Sequence, residues 1–223
     1  MAGKGNFSVL STKILQPQQK ELLLNSGISL TQYDAIKIHS VKFIFKEAVV
    51  ENAIITSKNA AKAIFKEKIQ IKNCFCVGEK TAAFLEENGV NVSEIANTGS
   101  DLAAKIVKKH GEKDFKFFCG NIRREELPSV LKENNIRFEE IEVYKTELNP
   151  KKFQQEFDGI MFFSPSGVES FFSENKLNES MAFCIGTTTE MEAKKHTNKI
   201  ITATKPNIEN VIVQVVKKFR HND

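Results

Sequence analysis

The chain lacks several features that would fix its class at once. No apolar run approaches the ~18 residues that a membrane span needs. Its first residues, MAGKGNFSVLSTK, carry lysine but no stretch long enough for a signal peptide. The expected compartment is therefore the cytoplasm, with no membrane partner. The four cysteines (Cys74, Cys76, Cys119, Cys184) are too sparse for a secreted disulfide scaffold and lack the paired C-x-x-C spacing of a zinc site. They are expected as buried, reduced thiols, with Cys74 and Cys76 on one face of a strand. His39, His110, His196 and His221 lie far apart and form no H-E-x-x-H pattern, so no metal is expected. There is no G-x-G-x-x-G, no G-x-x-x-x-G-K-[ST] and no G-x-S-x-G, which removes nucleotide loops and the nucleophile elbow. A basic run with interleaved aromatics is also missing, so no nucleic-acid partner is expected.

What is present is ordinary globular material. Hydrophobic residues make up 41% and charged residues 27%, which argues against disorder. The net charge of +4 suits an anionic ligand, but Lys and Glu interleave along helix faces as solvated surfaces do. At 223 residues there is room for one large domain or two ordinary ones.

Apolar runs rich in Val, Ile and Phe predict strands at Phe7–Leu10, Ala35–Ile38, Ala53–Thr56, Cys74–Val77, Ser93–Ile95, Phe115–Cys119, Glu139–Tyr144, Gly159–Phe163, Met181–Ile185 and Ile200–Thr202. Helical periods lie between most of them, including Gln18–Asn25, Glu79–Asn88, Asp101–His110, Glu125–Asn134, Thr187–His196 and Ile208–Phe219. This alternation predicts an α/β fold with parallel sheets covered on both faces. Ten short strands suit two five-stranded domains better than one sheet.

The chain also repeats itself. IITSKNAAKAIF at Ile54–Phe65 aligns with MFFSPSGVESFF at Met161–Phe172, and CVGEKT at Cys76–Thr81 with CIGTTT at Cys184–Thr189. The offset is 107 or 108 residues throughout, which indicates a tandem duplication of an α/β unit. Two partitions give five strands each: a cut near Gly111, or a middle domain from Ala53 to about Tyr144 with both chain ends in the other.

Four strand-to-helix turns carry the chemical content. Two are Thr56-Ser57-Lys58-Asn59 and Ser164-Pro165-Ser166-Gly167; the others are Val77-Gly78-Glu79-Lys80-Thr81 and Ile185-Gly186-Thr187-Thr188-Thr189. Small hydroxyl residues there cap helix N-termini, and the same N–H groups attract carboxylates or phosphates. Read singly, each is an ordinary cap; four at one sheet edge also fit a ligand site. Tyr144 ends a strand just before the Asn149-Pro150 breaker, and is either packing or a hydrogen-bonding acid over a cleft.

Taken together, FFSPSGVESF, CIGTTTEMEA, VGEKTAAFLEENG, VYKTE and KPNIENVIVQVV resemble the uroporphyrinogen-III synthase family, in order and nearly end to end. The resemblance implies two flavodoxin-like α/β domains, bilobed and joined by a two-stranded linker. One would comprise residues 1–38 with 147–223 and the other 46–142, with crossings at 39–45 and 143–146. It implies a cofactor-free monomer that acts on hydroxymethylbilane, a linear tetrapyrrole polycarboxylate. Tyr144 would be the catalytic acid. Lys13, Ser57, Lys58, Asn59, Gly78, Thr81, Ser164, Ser166, Gly167, Gly186, Thr188 and Thr189 would bind substrate. Lys13 stands where the family commonly has arginine; it keeps the charge but not the bidentate fork. The rival is a non-enzymatic binding protein for a small polyanion.

Overall fold

The computed structural model describes residues 7–43, 45 and 47–220; Ile44 and Lys46, in the expected crossing, and His221 lie outside the described residues. The chain divides into two compact units, residues 1–37 with 147–223 and residues 38–146.

The first unit contains β1 (Ser8–Ser11), α1 (Pro17–Leu24) and β2 (Ser29–Gln32) near the start of the chain. The second unit follows with β3 (Ile36–Ser40, at the junction), β4 (Val49–Ile55), α2 (Lys58–Lys66), β5 (Gln70–Val77), α3 (Glu79–Glu87), β6 (Val92–Ala96), α4 (Gly99–His110), β7 (Phe115–Gly120), α5 (Glu126–Glu133) and β8 (Phe138–Leu148). The first unit is then completed by β9 (Gly159–Phe162), α6 (Pro165–Phe172), β10 (Met181–Cys184), α7 (Thr187–Ala193), β11 (Ile200–Thr202) and α8 (Ile208–Arg220). Its sheet runs β2-β1-β9-β10-β11, all neighbours parallel. The second sheet runs β3-β8-β7-β4-β5-β6, with β8 through β6 parallel.

These orders explain the repeat. Shifting by 107 or 108 residues carries β1, β2, β4, β5 and β6 onto β7, β8, β9, β10 and β11. The order β2-β1-β9-β10-β11 then becomes β8-β7-β4-β5-β6, which is the second sheet without its edge strand β3. The first unit has the flavodoxin-like order, and the second reaches the same spatial order with its connectivity permuted. Each sheet takes two strands from one copy of the repeat and three from the other.

Parallel strands are covered on both faces, so their residues are apolar without alternation. In β4, Ile54 packs with Leu102, Ile106 and Leu131 of α4 and α5, whereas Ala53 and Ile55 pack with Ala60, Ile64 and Leu85 of α2 and α3. In the first unit Leu10 and Phe162 face α6 and α7, and Val9 and Met161 face α1 and α8. Full burial of one such side chain contributes about 1.5–3 kcal/mol. All four cysteines are buried and free, and Cys74 and Cys76 share one face of β5. Burial pushes the Cys76 and Cys119 thiols up to about 11 and Cys184 to about 12.

The strand β2 was not expected. Its sequence SLTQ has no buried residue, because it sits at the sheet edge. The strand expected at Ala35–Ile38 begins one residue later and runs to Ser40 as the other sheet's edge.

Glu94 on β6 is held at about 2, well below the usual carboxylate range, by a hydrogen bond from Lys109 and then by Lys105, against the opposing effect of burial. A carboxyl depressed only in the folded state stabilises above its unfolded pKa and loses that contribution as pH falls through the folded one. Stability is thus expected to decline from about pH 4.5 towards pH 2. Glu94→Gln should flatten this slope while costing at most about 1 kcal/mol at neutral pH, because the lysines are exposed to solvent screening. Thermal midpoints of both proteins across that range check it.

Candidate active site

Crossovers between parallel strands bring the N-termini of α2, α3, α6 and α7 to the carboxyl edges of their sheets. At α2 the Ser57 hydroxyl accepts from the Ala60 N–H at 3.2 Å, and at α6 Ser164 accepts from Gly167 N–H at 3.0 Å. A helix leaves its first N–H groups without intrahelical partners, and one serine satisfies only one of them. The rest of each first turn can meet a carboxylate.

The two glycine caps differ. Gly78 has φ +84°, so its turn needs a residue without a Cβ. Gly186 is extended, and a methyl group there would meet nothing closer than Pro206 at 4.0 Å. Gly167 is buried in the first turn of α6, where a Cβ would press on the capping Ser164 hydroxyl at 3.2 Å. Lys13, Lys58 and Thr188 are exposed; Asn59 and Ser166 are half-buried. Thr81 and Thr189, equivalent in the repeat, are buried at 7% and 1% exposure. Lys13 follows a fastened turn in which Ser11 Oγ donates to its carbonyl and Thr12 Oγ1 donates to the Met161 carbonyl at 2.8 Å.

Tyr144 belongs to the second unit alone. It lies in β8 opposite Gly120, level with the carboxyl edge of β7. The register skips one residue there: Cys119 pairs with Glu142 and Gly120 with Tyr144. Bulges of this kind re-aim side chains. The Ser57 hydroxyl donates to the phenol oxygen at 3.2 Å, joining Tyr144 to the cap of α2. The backbone is pinned as well, since the Tyr144 carbonyl accepts from Asn121 N–H at 3.3 Å. The Asn121 side chain brackets Thr146 by accepting from its N–H and donating to its carbonyl. The other tyrosine, Tyr33, is 7% exposed in the first unit's core, its hydroxyl has no partner, and burial pushes it up to about 12.

Among the described residues no group of three or more His, Cys, Asp or Glu could hold a metal ion, and no helix is long and apolar enough to cross a membrane. A cavity of about 750 Å³ in the first unit, lined by Phe157, Asp158, Met181, Lys199 and Phe219 among others, opens at the amino ends of the strands. No candidate residue lines it.

Residues 20–212 match the family profile described as uroporphyrinogen-III synthase HemD. The chain belongs to the uroporphyrinogen-III synthase family. A curated relative, the porphyrin biosynthesis protein HemD of Ruminiclostridium josui, is 30% identical over 156 residues, covering 63% of this chain and 31% of the relative. The chain thus spans about a third of that relative's length. The uroporphyrinogen-III synthetase of Helicobacter pylori 26695 superposes with a TM-score of 0.72 at 16% identity, over 95% of this chain and 99% of the other. A mutant uroporphyrinogen III synthase from the extremely thermophilic bacterium Thermus thermophilus gives 0.67 at 13% identity, over 97% and 100%. At such identities the likeness is one of fold. Within the family fold, the candidate turns and Tyr144 occupy carboxyl sheet edges. The residue that sequence reasoning missed is Gly120, whose only sequence signal is a glycine at an ordinary strand end.

Ser57→Ala and Ser164→Ala should each lower stability by about 1 kcal/mol through loss of the cap. Denaturant midpoints at unchanged slope check this.

Proposed function

We propose that the protein cyclises hydroxymethylbilane to uroporphyrinogen III, releasing water and inverting the last pyrrole. It would act as a cyclising hydro-lyase of haem biosynthesis in the cytoplasm, as a monomer, with neither metal nor nucleotide. Membership of the family supports the reading. The observation that carries it is Tyr144: a phenol at a carboxyl sheet edge, hydrogen-bonded to the serine that caps α2.

In this reading the first turns of α2 and α3 in the second unit, and those of α6 and α7 in the first, each offer backbone N–H groups to substrate carboxylates. The hydroxyls of Thr188 and Ser166 and the cations of Lys13 and Lys58 assist; Thr81 and Thr189 support their turns from within. The Tyr144 phenol gives its proton to the terminal hydroxyl, which leaves as water and generates an electrophilic azafulvene. The substituted carbon of the last pyrrole attacks it, forming a spiro intermediate. That intermediate fragments and recloses through the free α-carbon with the ring inverted, and the proton lost from that carbon restores the phenol. Closure without guidance gives the unrotated isomer, so the protein's work is to hold the folded substrate and stabilise developing charge.

Freshly prepared hydroxymethylbilane, followed by identification of the product isomer, tests this. Isomer III is expected, unaffected by a chelator. Isomer I alone, with tight retention of the bilane, would instead mark a binding protein for polyanions. Tyr144→Phe keeps the ring and removes the proton, so turnover should fall by about 10²–10⁴-fold. The thermal midpoint should stay near that of the wild type, and the residual product should remain isomer III. Normal turnover in the Phe variant would leave Tyr144 a packing residue.

A further inference from the structure

We infer that Gly120 is a positioning residue for Tyr144: the space left by its missing side chain seats the phenol at the carboxyl edge. The inference rests on the reading of Tyr144 given above. A Cβ at Gly120 would lie 2.5 Å from Tyr144 Cζ, 2.6 Å from Cε2 and 2.9 Å from the phenol oxygen. Those are its three nearest neighbours, all from one ring, and real Cβ atoms do not approach so closely. The encounter is with the hydroxyl end of the ring. A methyl group there displaces the proton donor itself.

Backbone conformation does not explain this glycine. Positive φ occurs at Gly27, Gly78 and Gly89 but not at Gly120, so its backbone accepts alanine and only the ring opposes it. The ring cannot retreat by sliding β8. The carbonyl of Val143, the residue passed over in the bulge, accepts from Val41 N–H at 3.1 Å, and Asn121 holds Tyr144 and Thr146 from the other side. Relief has to come from rotation of the side chain, which takes the phenol off Ser57.

The test is Gly120→Ala, with a direct view of the ring. The chain has no tryptophan and two tyrosines, so in a Tyr33→Phe background tyrosine ring NMR and fluorescence report Tyr144 alone. Gly120→Ala is expected to shift that ring signal and to lower kcat for isomer III by about the factor that Tyr144→Phe costs, ~10² or more, with KM nearly unchanged. Combining Gly120→Ala with Tyr144→Phe should cost little beyond Tyr144→Phe alone, because both remove one function. An unmoved ring, wild-type turnover, or a loss that adds in full to that of Tyr144→Phe overturns the inference. If Gly120→Ala folds poorly, adding Tyr144→Ala removes the obstacle and should restore the thermal midpoint of the Tyr144→Ala protein; failure to do so also overturns it. Should Tyr144→Phe itself turn over normally, the acid role fails, and the ring signal of Gly120→Ala still decides whether glycine seats the ring.

Discussion

Parallel pairing is the constraint on which the rest of this structure depends. Two parallel strands cannot be joined by a tight turn, so each connection climbs back through a helix whose N-terminus opens at the carboxyl edge. The first N–H groups of that helix have no partner within it. In this chain α2, α3, α6 and α7 all begin at such edges. Their N-termini gather partial positive charge where the strands end, in a protein with no phosphate loop and, among the described residues, no cluster of metal ligands. N–H groups that attract anions at each sheet's carboxyl edge therefore follow from the topology before any particular side chain is considered.

Duplication has doubled that topology and then let the copies diverge. With the edge strand β3 set aside, each sheet combines two strands of one copy with three of the other and reaches the same order in both units. Equivalent turns keep equivalent residues, Ser57 with Ser164, Thr81 with Thr189 and Gly78 with Gly186, although the two glycines differ in conformation. Divergence is sharpest at the end of β7, where Gly120 faces Tyr144 across a bulge, whereas Thr12 follows the end of β1. Symmetric turns suit binding a substrate that carries many similar carboxylates, whereas one proton donor suits a single leaving group.

Much of this was legible in the sequence because burial on both faces makes parallel strands read as short unbroken apolar runs, as FKFF and GIMF do. The repeat was legible because its turns need small residues, and the turns because serine caps and glycine corners have local causes. Two kinds of information were not. Edge strands carry little apolar signal, so SLTQ of β2 went unread, and the repeat gave no register by which to assign strands to sheets. Gly120 was hidden for a different reason: its role lies in a contact with a residue 24 positions later, and a bulge creates that contact. Burial separated Thr81 and Thr189 from Thr188, which the sequence treats alike.

The central claim is that backbone N–H groups at the carboxyl sheet edges hold the substrate's carboxylates. Amide NMR of the 15N-labelled protein, titrated with an octacarboxylate porphyrin, tests it most directly. The largest shifts and slowed exchange should fall on the first-turn amides of α2, α3 and α6: Lys58 to Ala60, Glu79 to Thr81, and Ser166 with Gly167. Shifts centred instead on Asp158, Lys199 and Phe219 at the amino edge, or no shifts at all, would contradict it.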